Sequence, residues 1–229
     1  MRKSTVLAVV VISMTALSAL AAEKGKPAPK PGGDEAGFVS LFDGKTLNGW
    51  EGDPRFWSVE NGVIVGTTDK TPTDHNTFLC STKEYSNFVL KIEFKLRNHN
   101  SGVQVRSKRL DDFVVTGYQA DIAEKRYMGI LYEEKGRGIL VDVDPEEVAP
   151  HVNWGDWNEY VIVCKGPHIQ QYLNGYKTVD YVEKDSEHGA TKGIIALQVH
   201  RGPAMRVEFR NIRIKELPDV PAQKEKPAK

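Results

Sequence analysis

Six polar residues fall on three short segments at a spacing that could hold a polar ligand and act on it. Gln104 and Arg106 alternate with Val103 and Val105 in GVQVRS, and Gln119 and Asp121 alternate with Tyr118, Ala120 and Ile122 in GYQADIA. In GIIALQVH, Gln198 and His200 alternate with Leu197 and Val199. An extended chain puts residues i and i+2 on one face, so each segment presents a hydrogen-bonding pair opposite an apolar row. If the three strands are neighbours, their donors and acceptors converge on one sheet face. Amides and carboxylates bind vicinal hydroxyls, arginine adds fixed donors, and aromatic rings cover the apolar faces of a pyranose, so the predicted ligand is a carbohydrate. Tyr132 and Trp154, both beside loop signals, are candidate stacking platforms. Uncommitted outer faces carry lysine and glutamate instead. In FVLKIEFKLR, Lys91, Glu93, Lys95 and Arg97 are expected in solvent while Phe88, Leu90, Ile92, Phe94 and Leu96 point inward.

The elements that must position these residues are strands. Period-two alternation dominates from Phe38 to Leu217, with no sustained amphipathic helical pattern. Asn174-Gly175 and Asn61-Gly62 each sit between alternating segments, which predicts tight hairpins. In VEFRNIRIKEL the apolar parity changes between Phe209 and Ile212, so a β-bulge is expected near Arg210-Asn211. YVIVC is apolar on both faces, as a covered central strand would be. Asp142 and Asp144, next to Pro145, read as loop, and Trp50 and Trp57 read as core. Many strands without helical crossovers or internal repeats predict a sandwich or barrel of antiparallel sheets.

The chain opens on Arg2 and Lys3, an apolar run and Ala19-Leu20-Ala21, the pattern of a secretory signal peptide over residues 1–21. A Pro/Gly/Lys-rich linker is expected over 22–36, one domain over 37–217, and a disordered tail over 218–229. The expected location is the periplasm or outside the cell, with no membrane association after cleavage. The 31 basic and 31 acidic residues balance, which removes the electrostatic reason to bind nucleic acid. Two cysteines, Cys80 and Cys164, could pair in an oxidising compartment, though both lie in apolar strands and are read as buried free thiols. Neither has a second ligand at zinc spacing.

The blocks FVSLFDGKTLNGW, WSVENGVIVG, NSGVQVRS, GYQADI, GILYEEKGRG, DWNEYVIVCKG, YLNG and GIIALQVHRGPAMRVEFRNIRIKEL occur in this order from Gly37 to Leu217. Together they resemble the 3-keto-disaccharide hydrolase domain family. The resemblance implies a concanavalin A-like jelly-roll sandwich of two curved antiparallel sheets in an exported bacterial protein acting on oxidised glycosides. It also implies that Asn100, Gln104, Arg106, Gln119, Asp121, Tyr132, Glu134, Gln198 and His200 face a concave groove. Many members carry a glutamate in the block matching GYQADI, where this chain has Gln119 and Asp121.

No E-x-D-x-x-E arrangement is present to support double displacement by two carboxylates. A 3-keto sugar offers another route, because the ketone acidifies the hydrogen on C2 and one base suffices to start elimination at C1. His200 or Asp121 would be the base and Tyr132 or Glu134 the proton donor. Arg106, Gln119 or a bound cation would stabilise the enolate. Asp121, Glu134 and His200 could ligate a divalent metal if they meet; a groove histidine without metal is the simpler expectation. Two other function classes share the sequence features: a noncatalytic carbohydrate-binding module and a structural cell-surface protein.

Overall fold

A computed structural model describes residues 35–219. The expected signal peptide, nearly all of the linker and residues 220–229 of the tail lie outside the described residues. The strands are β1 (Val39–Ser40), β2 (Trp50–Glu51), β3 (Trp57–Glu60), β4 (Val63–Thr67), β5 (Thr77–Tyr85), β6 (Phe88–Arg97), β7 (Asn100–Arg109) and β8 (Val115–Ala123). They continue with β9 (Leu131–Glu134), β10 (Gly138–Val141), β11 (Asn158–Lys165), β12 (His168–Leu173), β13 (Tyr176–Val182), β14 (Gly193–Val199) and β15 (Arg206–Glu216).

Two antiparallel sheets result. One runs β13-β12-β11-β6-β15-β4-β3, with β1 also on β15, and the other runs β10-β9-β8-β7-β14-β5-β2. Their apolar rows meet in one core: Leu90, Ile92, Phe94, Ile162 and Phe209 of the first sheet oppose Val103, Val105, Ile122, Leu197 and Val199 of the second. Burying both inner faces is what holds the layers together. Trp50 and Trp57 belong to this core, as the sequence predicts. Cys80 and Cys164 are buried and unpaired.

The turn chemistry is where the sequence places it. Asn61-Gly62 joins β3 to β4 and Asn174-Gly175 joins β12 to β13, with positive φ at all four residues. The bulge in β15 falls between Arg210 and Arg213, with Asn211 at φ 50°. The link from β6 to β7 is different, because those strands lie in opposite sheets. Two residues, Asn98 and His99, carry the chain across, both with positive φ.

Three expectations are corrected. Lys91 is not in solvent: its Nζ lies over the Phe38 ring and donates to Glu35 Oε1 at 2.8 Å, under a segment that folds back on β6. Residues 145–148 are not loop but a one-turn helix, α1 (Pro145–Val148), capped by the Asp144 side chain. Arg106 does not face outward beside Gln104. The β7–β8 register slips between Val105 and Lys108, and Arg106 adopts φ 49°, which reverses the alternation. Gly117 and Gly193 flank this bulge, and a Cβ on either would come within 2.6 Å of Ser107.

Arg106 is thereby turned into the protein, 2% exposed. Its guanidinium donates to the backbone carbonyls of Ser86 (2.7 Å) and Gly166 (2.6 Å) and to Asn87 Oδ1 (3.2 Å), tying together the turns before β6 and β12. Arg106→Met takes the charged donor from the half-buried Ser86 and Gly166 carbonyls and leaves Asn87 Oδ1 with the Gly166 N–H alone. It is expected to lower the unfolding free energy by about 2–4 kcal/mol in urea titration while leaving ligand affinity of the folded fraction unchanged. A groove role for Arg106 would instead lower affinity with little loss of stability.

Candidate active site

The strands β9, β8, β7 and β14 are consecutive in the second sheet. The register sets Gln104 opposite Gln119, Gly102 opposite Asp121, and Gln119 opposite Tyr132, so the polar members of the outer face are true neighbours. At one end of this face Phe78, Cys80, Val115, Ile194 and Ala196 form a small apolar cluster. At the other end lies a cavity of about 820 Å³, into which Asn100, Gln119, Asp121, Tyr132, Glu134, Gln198 and His200 project. Its walls come from connections: His75 and Asn76 before β5, His99 before β7, residues 124–127 after β8, and Arg201 after β14. The wall at 126 is fastened by Arg126, which pairs with Asp142 at 2.6 Å.

The cavity floor is a chain of amides. Ser107 Oγ donates to Gln104 Oε1 at 2.6 Å, and Gln104 Nε2 donates to Gln119 Oε1 at 2.8 Å. Gln119 Nε2 approaches Asp121 Oδ1 at 3.4 Å, with Asn100 Nδ2 on the same oxygen at 3.1 Å. From the side, Gln198 Nε2 donates to Gln119 Oε1 at 3.0 Å and reaches Glu134 Oε2 at 3.5 Å, while Asn76 Nδ2 holds Glu134 Oε1 at 3.2 Å. The three glutamines are buried, and their N–H groups all run toward the two carboxyls. Aligned amides of this kind polarise one another. Gln198 Oε1 is the exception, a buried acceptor without a partner among the described residues. Gly102 makes the arrangement possible, since a Cβ there would meet the Gln119 side chain at 2.4 Å.

Burial dominates the electrostatics. It raises the Asp121 carboxyl to about 7, against the lowering effect of hydrogen bonds from Asn100 and Gln119, and the nearby Glu134 charge adds to the rise. Glu134 is also raised by burial, opposed by its bond from Asn76 and by Lys135 and Arg201. The Tyr132 phenol is raised by burial and by both carboxylates. His200 is lowered, by burial first and then by the charges of His99 and Arg201. Its Nδ1 lies 2.6 Å from the Arg201 carbonyl oxygen. A carbonyl only accepts, so Nδ1 carries the proton and Nε2 keeps a lone pair.

Of the residues singled out in the sequence, Asn100, Gln119, Asp121, Tyr132, Glu134, Gln198 and His200 meet in this cavity. Gln104 lies beneath it and acts through Gln119. Arg106 and Trp154 are elsewhere. Trp154, 49% exposed, stands at a second cavity of about 390 Å³ floored by Phe94, Leu96, Met128 and Val152. It sits on the loop before β11, and the two cavities share only the wall at residues 123–125. The exposed aromatic at the first cavity is Tyr127, which sequence reasoning passed over although it lies in the loop segment EKRYMG. Asn76, His99 and Arg201 were also missed; they belong to connections, where alternation gives no signal. Among the described residues no three His, Cys, Asp or Glu side chains are grouped to hold a metal ion, so Asp121, Glu134 and His200 share a cavity without forming a ligand set.

Residues 37–215 match the 3-keto-alpha-glucoside-1,2-lyase-like domain. The chain belongs to this family. A curated 3-keto-disaccharide hydrolase of Bacteroides thetaiotaomicron is 34% identical over 80 residues, which span 31% of this chain and 27% of that protein. A candidate glycosyl hydrolase of Parabacteroides distasonis superposes with a TM-score of 0.58 at 25% identity, covering 80% of this chain and 95% of that one. A carbohydrate-binding module of Bacillus subtilis superposes with a TM-score of 0.57 at 16% identity, covering 78% and 99%, and speaks to the fold alone. The architecture is the all-β, concanavalin A-like jelly roll that the resemblance implies.

The Asp121 titration has a definite sign in stability. Its folded carboxyl titrates near 7 against an ordinary value of 3.8, so the stability it contributes is present below the ordinary value and is lost as pH rises through 7. Asp121→Asn has no such loss. The variant is expected to be more stable than the parent at pH 8 by roughly 2–4 kcal/mol, with the difference closing at pH 4, as read by thermal unfolding at both pH values.

Proposed function

We propose that the chain is an exported enzyme that cleaves the glycosidic bond of a 3-keto-glycoside by elimination and then hydration. The observation that carries this reading is the state of His200. Its Nδ1–H is committed to the Arg201 carbonyl, its Nε2 is left unprotonated, and burial keeps it so near neutral pH. That is the form a general base needs.

In the first step His200 Nε2 takes the C2 proton and the electron pair moves onto the C3 oxygen as an enolate. Asp121, holding its own proton to about pH 7, has Oδ1 bonded to Asn100 and Gln119 and would turn Oδ2 and its proton to that oxygen. A carboxyl kept neutral by burial is a strong donor to a developing oxyanion. This replaces the expected role of Arg106, which is buried elsewhere, and of Gln119, whose amide is already engaged on both sides. In the second step the pair returns to form C1=C2, the C1–O bond breaks, and Glu134, raised by burial, protonates the departing oxygen. Water then adds across C1=C2 to give the free 3-keto sugar. Elimination alone is a lyase reaction, and with the addition of water the sum is hydrolysis, which accommodates both the family's name and its relative's.

A noncatalytic glycan-binding module is the second reading, because the same amides would recognise hydroxyls. It gains nothing from three titratable groups pushed by burial toward their uncharged forms in one cavity. Incubation with 3-keto-trehalose or 3-keto-lactose is expected to release free reducing sugar, with a primary isotope effect when C2 carries deuterium. His200→Ala should lower kcat by at least ~10²-fold. Tight binding of the glycan without release, or full turnover by His200→Ala, overturns the proposal.

A further inference from the structure

His99 is placed as no ordinary link residue is. It is the second of only two residues that carry the chain from β6 in one sheet to β7 in the other, and it holds φ 71°, a conformation that glycine adopts freely and a side chain with a Cβ does not. Its carbonyl accepts from the Glu124 backbone N–H at 3.1 Å, and its Nε2 lies 3.0 Å from the Arg201 carbonyl oxygen. Its neighbour Asn98 donates to the Ala204 carbonyl at 2.6 Å. Gly202 closes against the ring, where a Cβ would stand 3.0 Å from His99 Nε2. The connections after β8 and after β14 therefore both close on this link, the first on the His99 backbone and the second on its imidazole.

That imidazole stands edge to face with His200, ring centroids 4.7 Å apart. Both rings point a nitrogen at the same Arg201 oxygen, and an oxygen acceptor with two lone pairs is saturated by two N–H donors. Strained non-glycine backbone persists where the surroundings impose it, and it gathers at functional sites.

We infer that His99 is a positioning residue for His200: through the shared Arg201 carbonyl it fixes the tautomer and ring orientation that leave Nε2 of His200 free for the cavity. The inference rests on the reading of His200 as the base. His99 touches no reacting atom; it works through its neighbour. Its charge when protonated also opposes a proton on His200, in the same direction as burial. The other titratable or charged groups sharing the cavity are Asp121, Tyr132 and Glu134 on the floor, with His75, Glu124, Lys125, Arg126, Tyr127, Lys135 and Arg201 around it.

The test exploits the backbone. Glycine suits φ 71°, so His99→Gly removes the ring without straining the link, and the variant's Tm is expected to equal or exceed the parent's. Turnover of a 3-keto-glycoside should nevertheless fall about tenfold in kcat with KM little changed. The acidic limb of the pH profile should move to higher pH, because the proton on His200 is no longer opposed. His99→Gln, which can still donate to Arg201, should recover most of kcat without restoring the pH profile. Independently of activity, ¹⁵N-edited NMR of the full chain should show His200 protonated on Nδ1 in the parent and on a mixture of nitrogens in His99→Gly. Parent-like kcat in His99→Gly, or a kcat loss that follows a fall in Tm, overturns the inference. So does an unchanged His200 tautomer, and that readout decides the matter even if the parent turns over no keto-glycoside, a result that would count against the proposed activity instead.

Discussion

The site depends on two carboxyl groups buried on a sheet face and supplied there with amide donors. An isolated buried carboxylate is costly, and the structure meets that cost in part by hydrogen bonds and in part by letting the groups keep their protons. Gln104, Gln119 and Gln198 interlock so that their N–H groups run toward Asp121 and Glu134. The amides could not do this from a looser scaffold. Their register is fixed by β7, β8 and β14, whose opposite faces are committed to the core. Slipping any one strand by a residue would bury its polar side and expose its apolar side.

Much of this was legible in the sequence because period two is a local property. Knowing only that Gln119 and Asp121 alternate with Tyr118 and Ile122 is enough to put them on one face, and the same logic brought Gln198 and His200 to the cavity. The logic failed at Arg106 because a bulge is a register event between two strands, visible in one strand's sequence only when the apolar parity changes with it. In β15 the parity does change, between Phe209 and Ile212, and the bulge could be read. In β7 the apolar pattern simply ends after Val105. Trp154 failed for another reason: where a loop aromatic lands depends on the path of the connection. The same limit hid Asn76, Tyr127 and His99.

The electrostatics were less legible still. Aspartate, glutamate and histidine are ordinary residues until their desolvation is known, and desolvation is a property of the packed cavity. Asp121 near 7, Glu134 raised and His200 lowered are three responses to one cause, the removal of water from a face that alternation would have left wet. Membership of the 3-keto-alpha-glucoside-1,2-lyase-like domain family gives the cavity a chemical context. In the proposed reaction the ketone of the sugar lowers the demand on the protein to one base, one acid and one donor to oxygen.

The brevity of the Asn98-His99 link has a mechanical consequence. With no slack between β6 and β7, a sliding or tilting of one layer against the other is transmitted to the imidazole at the rim rather than absorbed by a floppy connector. Repacking in the core, for instance around Phe94 or Leu96 at the end of β6, would then reach the rim as a change of angle, and the hydrophobic interior becomes part of what aligns the His99–His200 pair.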